Sequence, residues 1–173
     1  MKRYCLLLLL AAYGQAAYGQ WNSDSTRNTL VCNASAQQAY PRVATDANKN
    51  IFVVWADSRH SGFTQVYAQK FDANGVAKWA ANGIRVCSTA FVQRGPIVAA
   101  DDNGGAYIVW QDDRHNGTPN TRPDLYSQHL NSDGGVMYGA NGKAIEKVLQ
   151  ETNDPSMQKN WTILAFVMII NCV

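Results

Sequence analysis

A charge of one sign is what this sequence lacks first. The 173-residue chain carries 15 Lys plus Arg against 13 Asp plus Glu, and removing Lys2 and Arg3 with a leader leaves 13 against 13. A balanced surface has no basic face for a phosphate backbone or an anionic bilayer, so nucleic acid and an electrostatically held membrane are excluded as partners. Long apolar runs are missing too. The opening MKRYCLLLLLAAYGQAAYGQW has an apolar run only from Leu6 to Ala12, far below the roughly 20 residues of a spanning helix. With Lys2 and Arg3 before it and small residues at Ala17 and Gly19, it reads as a secretory signal cleaved after Gly19. Cysteine is scarce: of four, Cys5 falls in the leader, and the odd three left do not make a disulfide framework.

What is present is repetition. VVWADSRH, from Val53 to His60, returns as IVWQDDRH, from Ile108 to His115. The match extends back to PRVATDANKN from Pro41 and PIVAADDNGG from Pro96, and forward to YAQKFDANG from Tyr67 and YSQHLNSDGG from Tyr126. Trp79 to Gly83 parallels Tyr138 to Gly142. The offset grows from 55 to 59 because the loop after His115 is four residues longer than the one after His60, which marks an exposed connection. Cys32, Cys87 and Glu146 each stand nine residues before a proline (Pro41, Pro96, Pro155), so partial units flank two full ones. The predicted divisions are a signal at 1–19, the tail of a preceding unit at 20–40, repeats at 41–95 and 96–154, and the start of a third at 155–173.

Each repeat reads as four short strands separated by Asn, Asp and Gly turns. In the first they run from Arg42 to Thr45, Ile51 to Ala56, Gln65 to Phe71 and within Ala77 to Val86. The nearly all-apolar second strand is expected to be the most central, and the third puts Val66, Ala68 and Lys70 on one face and Tyr67, Gln69 and Phe71 on the other. A four-stranded antiparallel unit stacked on its own copies predicts an all-β fold built from β-propeller blades, incomplete at two full repeats plus two partial ones.

Trp55 and Trp110 end the apolar strand, so they are expected to fill space between sheets rather than to stack on a ligand. Asp57 with Arg59, and Asp112 with Arg114, have the chemistry to hold an anionic sugar. Repetition favours structure, since one substrate needs one site and each repeat needs its own fastening. Tyr67 and Tyr126 belong to the same set. The loop from Asn116 to Leu125, with Arg122 and Asp124, is the ligand-contact candidate.

The pattern W-x-D-x-R, a loop, then Y-A-Q-x-F-D-A-N-G with W-x-x-N-G, resembles the repeats of secreted propeller-like proteins of Bacteroidetes and related bacteria, over Trp21 to about Val148. That resemblance implies a secreted or cell-surface binding module for protein or glycan, loosely sialidase-like, of a kind often exported by the type IX system. The rival implication is a piece of a sialidase-like, glycan-processing propeller. Against turnover stand only two glutamates, Glu146 and Glu151, and no aspartate box. No catalytic residue and no cofactor is therefore expected.

Calcium is the weaker alternative. Asp46 to Asp57 and Asp101 to Asp112 have twelve-residue spacing, but Ile51 and Ala106 stand where a calcium loop needs glycine. Hairpin turns are expected instead, and Cys32 and Cys87, at equivalent points of successive units, are expected to stay unpaired. After Pro155 the pattern decays, although ILAFVMII retains a strand-like run. A portion of a larger propeller is expected, or a chain that completes itself by self-association.

Overall fold

The computed structural model describes residues 26–60, 63–114 and 123–146, the last without its side chain. The leader, the loop residues Asn116 and Arg122, and the third unit lie outside them. Among the described residues the structure is all-β, with no helix. Two four-stranded antiparallel sheets follow one another along the chain. The first runs β1 (Gln38–Thr45), β2 (Ile51–Asp57), β3 (Gln65–Phe71) and β4 (Ile84–Arg85), in that spatial order. The second repeats it with β5 (Gln93–Ala100), β6 (Ala106–Asp112), β7 (Asp124–Leu130) and β8 (Lys143–Glu146).

Turn chemistry sets the hairpins. The Asp46 carboxylate accepts the Asn50 backbone N–H at 2.8 Å and the Asn50 side-chain amide at 2.6 Å. Asp101 likewise accepts from the N–H groups of Asn103 and Gly105. Asp72 and Asn131 cap the next turns in the same way, each taking two backbone N–H groups. A short side chain that mimics a turn carbonyl is why these positions are Asp or Asn.

The first strand starts earlier than the pattern suggested, at Gln38 rather than Arg42. It does so by crossing its proline in a register shift between Ala39 and Arg42, matched in β5 between Arg94 and Ile97. Pro41 and Pro96 fall inside those shifts, where a missing N–H costs no ladder bond. The residue ahead of each proline has positive φ: 59° at Gly95 and 54° at Tyr40.

The expectation that the second strand is the most central needs correction. β2 and β3 are both inner strands, and β3 is buried along its whole length. Gln65 donates from Nε2 to the Thr89 carbonyl at 2.7 Å and leaves its buried Oε1 without a partner among the described residues, whereas Gln69 and Lys70 are both engaged. Gln69 Nε2 donates to the Ala80 carbonyl at 2.8 Å while its Oε1 accepts the N–H groups of Lys70 and Trp79. Lys70 Nζ donates to the carbonyls of Gly104 at 2.6 Å and Ser132 at 3.3 Å.

Those last bonds cross between sheets. The sheets pack face to face, with Phe52, Val54, Val66 and Ala68 of the first meeting Val98, Ala106, Ile108 and Trp110 of the second in one cluster. Each Val, Ile or Phe side chain among them, fully buried, contributes roughly 1.5–3 kcal/mol. Backbone bonds from Gln93 N–H to the Thr64 carbonyl (2.7 Å) and from Ser88 N–H to the Ala140 carbonyl (2.8 Å) fix the seam.

Candidate functional site

β2 and β6 each end on an aspartate whose side chain has no solvent exposure. A buried carboxylate must be paired and hydrogen-bonded to be tolerated, and the motif supplies both. Asp57 Oδ2 accepts from Trp55 Nε1 at 2.8 Å and from Arg59 Nη2 at 2.6 Å; its Oδ1 accepts from Arg59 Nε and the Arg59 backbone N–H, both at 2.9 Å. In the second sheet Asp112 Oδ2 accepts from Trp110 Nε1 at 3.0 Å and Arg114 Nη2 at 2.7 Å, and Oδ1 from Arg114 Nε at 2.9 Å and N–H at 3.0 Å. The guanidinium thus meets the carboxylate as a fork, the strongest form of this pair.

Each arginine lies over the tyrosine that starts the next strand's aromatic face. Arg59 Cζ is 4.0 Å from the Tyr67 ring centroid and Arg114 Cζ 3.5 Å from that of Tyr126. The same tyrosines stack with Trp55 and Trp110, both at 6.2 Å and 28°. The arginine also donates to the carbonyl of the Asn-Gly turn: Asn82 at 2.9 Å in one copy, Asn141 at 3.0 Å in the other. His60 joins the first cluster through Tyr67 Oη, 2.7 Å away.

The electrostatics are opposed and resolved alike in both copies. Burial alone would raise the Asp57 and Asp112 carboxyls, yet the hydrogen bonds and charge of their arginines, with the indole N–H, hold both below the ordinary value. Asp57 raises Arg59 against the opposing effect of burial; for Arg114 burial is the larger single effect and Asp112 still carries the group upward. Burial raises the phenols of Tyr67 and Tyr126. The pair stays ionised throughout the neutral range, with each carboxylate oxygen already holding at least two donors.

All eight motif residues read from the sequence therefore come together, four to each cluster. Trp110 sits in the seam between the sheets. Trp55 does not, because its indole lies on the far face of the first sheet, beneath Gly83 and beside Tyr67. Asp124 opens β7 directly across from Asp112. Among the described residues no group of three or more His, Cys, Asp or Glu gathers as a metal site would require.

Three contributors escaped the sequence reading. Cys32 Sγ lies 3.1 Å from Arg59 Nη2, and Cys87 Sγ 3.4 Å from Arg114 Nη2, so the end of one unit closes on the cluster of the next. Both thiols are free. Gln128 repeats the Gln69 clamp, giving 2.7 Å to the Gly139 carbonyl and accepting the Tyr138 N–H at 2.8 Å. Gln93, fully buried, accepts the Val66 N–H at 3.0 Å and donates to Asp112 at 3.2 Å. The cysteine and the Y-x-Q glutamine recur at equivalent positions, which was the available signal; Gln93 recurs as Gln38, but its environment does not.

No protein-family model, curated protein or solved structure matches this chain. The class that the fold itself defines is a stack of repeated antiparallel β-sheets, each closed by a Trp-Asp-Arg-Tyr cluster.

Proposed function

We propose that this chain is a non-enzymatic, secreted or cell-surface repeat module, in which each four-stranded sheet is a β-propeller blade and the loops beside the clusters bind protein or glycan. The observation that carries this reading is the contrast between what is repeated and what varies at one end of the sheets. The Trp-Asp-Arg-Tyr clusters agree bond for bond, whereas the connection that follows is four residues longer in the second repeat. An invariant support beside a variable loop is how repeat scaffolds diversify binding without disturbing their core.

Exposed aromatics support the same end. Phe63 and Phe91 are 43% and 45% exposed, and the bond from Gln93 N–H to the Thr64 carbonyl brings their segments side by side. Apolar rings at a loop surface suit the face of a sugar or an apolar side chain.

A glycan array and a fluorogenic sialoside assay on the full chain test the proposal together. The expected result is saturable binding without turnover, weakened at least tenfold by Phe63→Ala with Phe91→Ala or by Arg122→Ala. Turnover that Asp124→Asn abolishes would overturn it in favour of the glycan-processing reading.

A further inference from the structure

Asparagine followed by glycine is among the most self-reactive pairs in a polypeptide, because glycine has no Cβ to keep its backbone nitrogen from the asparagine side chain. The chain holds five such pairs, and four lie among the described residues: Asn74-Gly75, Asn82-Gly83, Asn103-Gly104 and Asn141-Gly142. Sequence does not rank the four. Their turns do, through what holds the glycine nitrogen that would have to attack.

In three of them that nitrogen is engaged. Gly75 N–H donates to the Asp72 carbonyl at 2.9 Å, Gly83 N–H to that of Ala80 at 2.9 Å, and Gly142 N–H to that of Gly139 at 3.2 Å. Asn82 is tied further, its Oδ1 accepting the Asn33 N–H at 2.8 Å. Gly104 differs. Asp101 Oδ1 takes the N–H groups on either side of it, Asn103 at 2.9 Å and Gly105 at 2.7 Å, and the Gly104 N–H makes no hydrogen bond among the described residues. Gly104 is buried against Lys70 and Ser132, yet Asn103 beside it is exposed, its Nδ2 donating at 3.3 Å to the Asp101 carbonyl. A hydrogen bond that must first be broken slows attack by its nitrogen roughly two- to tenfold.

We infer that Asn103 is a self-modification site, at which the unengaged Gly104 nitrogen attacks the side-chain amide. Water is the only other reactant. The nitrogen bonds to Asn103 Cγ and gives up its proton; the Cγ–Nδ2 bond breaks, and ammonia leaves with that proton. Water then opens the five-membered imide at either carbonyl, to aspartate or to isoaspartate. The product reaches the seam between the sheets. The buried Lys70 Nζ donates to the Gly104 carbonyl at 2.6 Å, so this turn holds one end of the lysine that crosses from the first sheet. Isoaspartate adds one carbon to the main chain between residues 103 and 104, while the hairpin is closed around them by the bond from Asp101 N–H to the Gly105 carbonyl at 3.1 Å. The extra carbon displaces the Gly104 carbonyl from Lys70. The inference rests on turn geometry and not on what the loops bind, so a failure to bind glycan leaves it standing.

Peptide mapping by mass spectrometry tests it, after timed incubation of the full chain at mildly alkaline pH, both native and in urea. In the native protein Asn103 is expected to lose its amide at least about threefold faster than Asn74, Asn82 or Asn141. In urea, where no turn holds any of the four nitrogens, the rates are expected to converge within about twofold. The isoaspartate form, isolated by chromatography, is expected to unfold at lower urea than the Asn103→Asp variant, which carries the same charge on an unaltered main chain. Native conversion at Asn103 no faster than at the other three overturns the inference. So does a lead for Asn103 that persists unchanged in urea, since sequence and not the turn would then set it. Equal urea midpoints for the isoaspartate form and the variant overturn its reach to Lys70.

Discussion

Cys87 Sγ lies 3.4 Å from Nη2 of Arg114, which places the last residues of one repeat against the ion pair of the next. Cys87 also neighbours the Asn141 carbonyl and is 1% exposed, while the equivalent Cys32 is only half-buried. Thiol labelling with peptide mapping by mass spectrometry is therefore expected to modify Cys32 in the native protein and to leave Cys87 unmodified until urea unfolds the sheet. Equal labelling of the two would place the second cluster in solvent.

Glycine is required at the turn over each indole. Gly83 has φ +81° and Gly142 +68°; an added Cβ at Gly83 would run into the far edge of Trp55, and one at Gly142 would sit 2.7 Å from both Trp110 and the Ser127 carbonyl. Gly95, at φ +59°, has nothing within 4 Å of such a Cβ. Gly83→Ala and Gly142→Ala are each expected to cost about 3 kcal/mol in urea unfolding, and Gly95→Ala only about 1 kcal/mol, the backbone strain alone. Equal costs at all three sites would deny the contact with the tryptophan.

The residue ahead of Pro41 offers the converse change. Tyr40 holds φ 54° where its counterpart is Gly95, and a bulky residue in that region is strained. Tyr40→Gly is expected to raise the unfolding free energy by about 0.5–1 kcal/mol, the relief of strain being partly offset by the entropy of glycine in the unfolded chain. A loss of more than about 1 kcal/mol would mean that the ring makes a contact the exposed position does not suggest.

Acid weakens the fold through the same pairs. Asp57, Asp101 and Asp112 are all held below their ordinary value in the native state, Asp101 by His129, 2.6 Å away, and by its turn N–H groups, against the larger single effect of burial. An unfolded aspartate titrates near about 3.9. As pH falls through that range the unfolded chain takes up protons that the native chain refuses, so stability present above about pH 4 is lost below it. Tyr67 and Tyr126, raised by burial, act in the opposite range, and their contribution is lost above about pH 10. Urea midpoints are expected to fall on both sides of neutrality, with the acid fall reduced in Asp112→Asn. A midpoint that rises on acidification contradicts this.

The strands, their turns and the membership of the clusters were legible because each depends on short-range pattern: alternation along β3, Asp and Asn at turn starts, and Trp, Asp and Arg two residues apart. The partners of those residues were less so. Asn82 and Cys32 reach Arg59 from 23 residues after it and 27 before it, and a backbone carbonyl or a lone thiol leaves no composition signal. Least legible was the difference between Gln38 and Gln93, or Val43 and Val98. Repeated sequence marks equivalent positions, and only the packing of neighbours decides which of them is covered.

The central claim is that the Asp-Arg pair fastens each sheet rather than waiting for a ligand. A double-mutant cycle of Asp112→Ala and Arg114→Ala, followed by urea unfolding, tests it most directly. Either change leaves a buried polar group without its partner, so each alone is expected to cost about 3 kcal/mol. The double variant is expected to cost much less than their sum, with a coupling of about 2 kcal/mol. Additive effects within about 0.5 kcal/mol would contradict the account, because two groups that hold nothing between them have no interaction to lose.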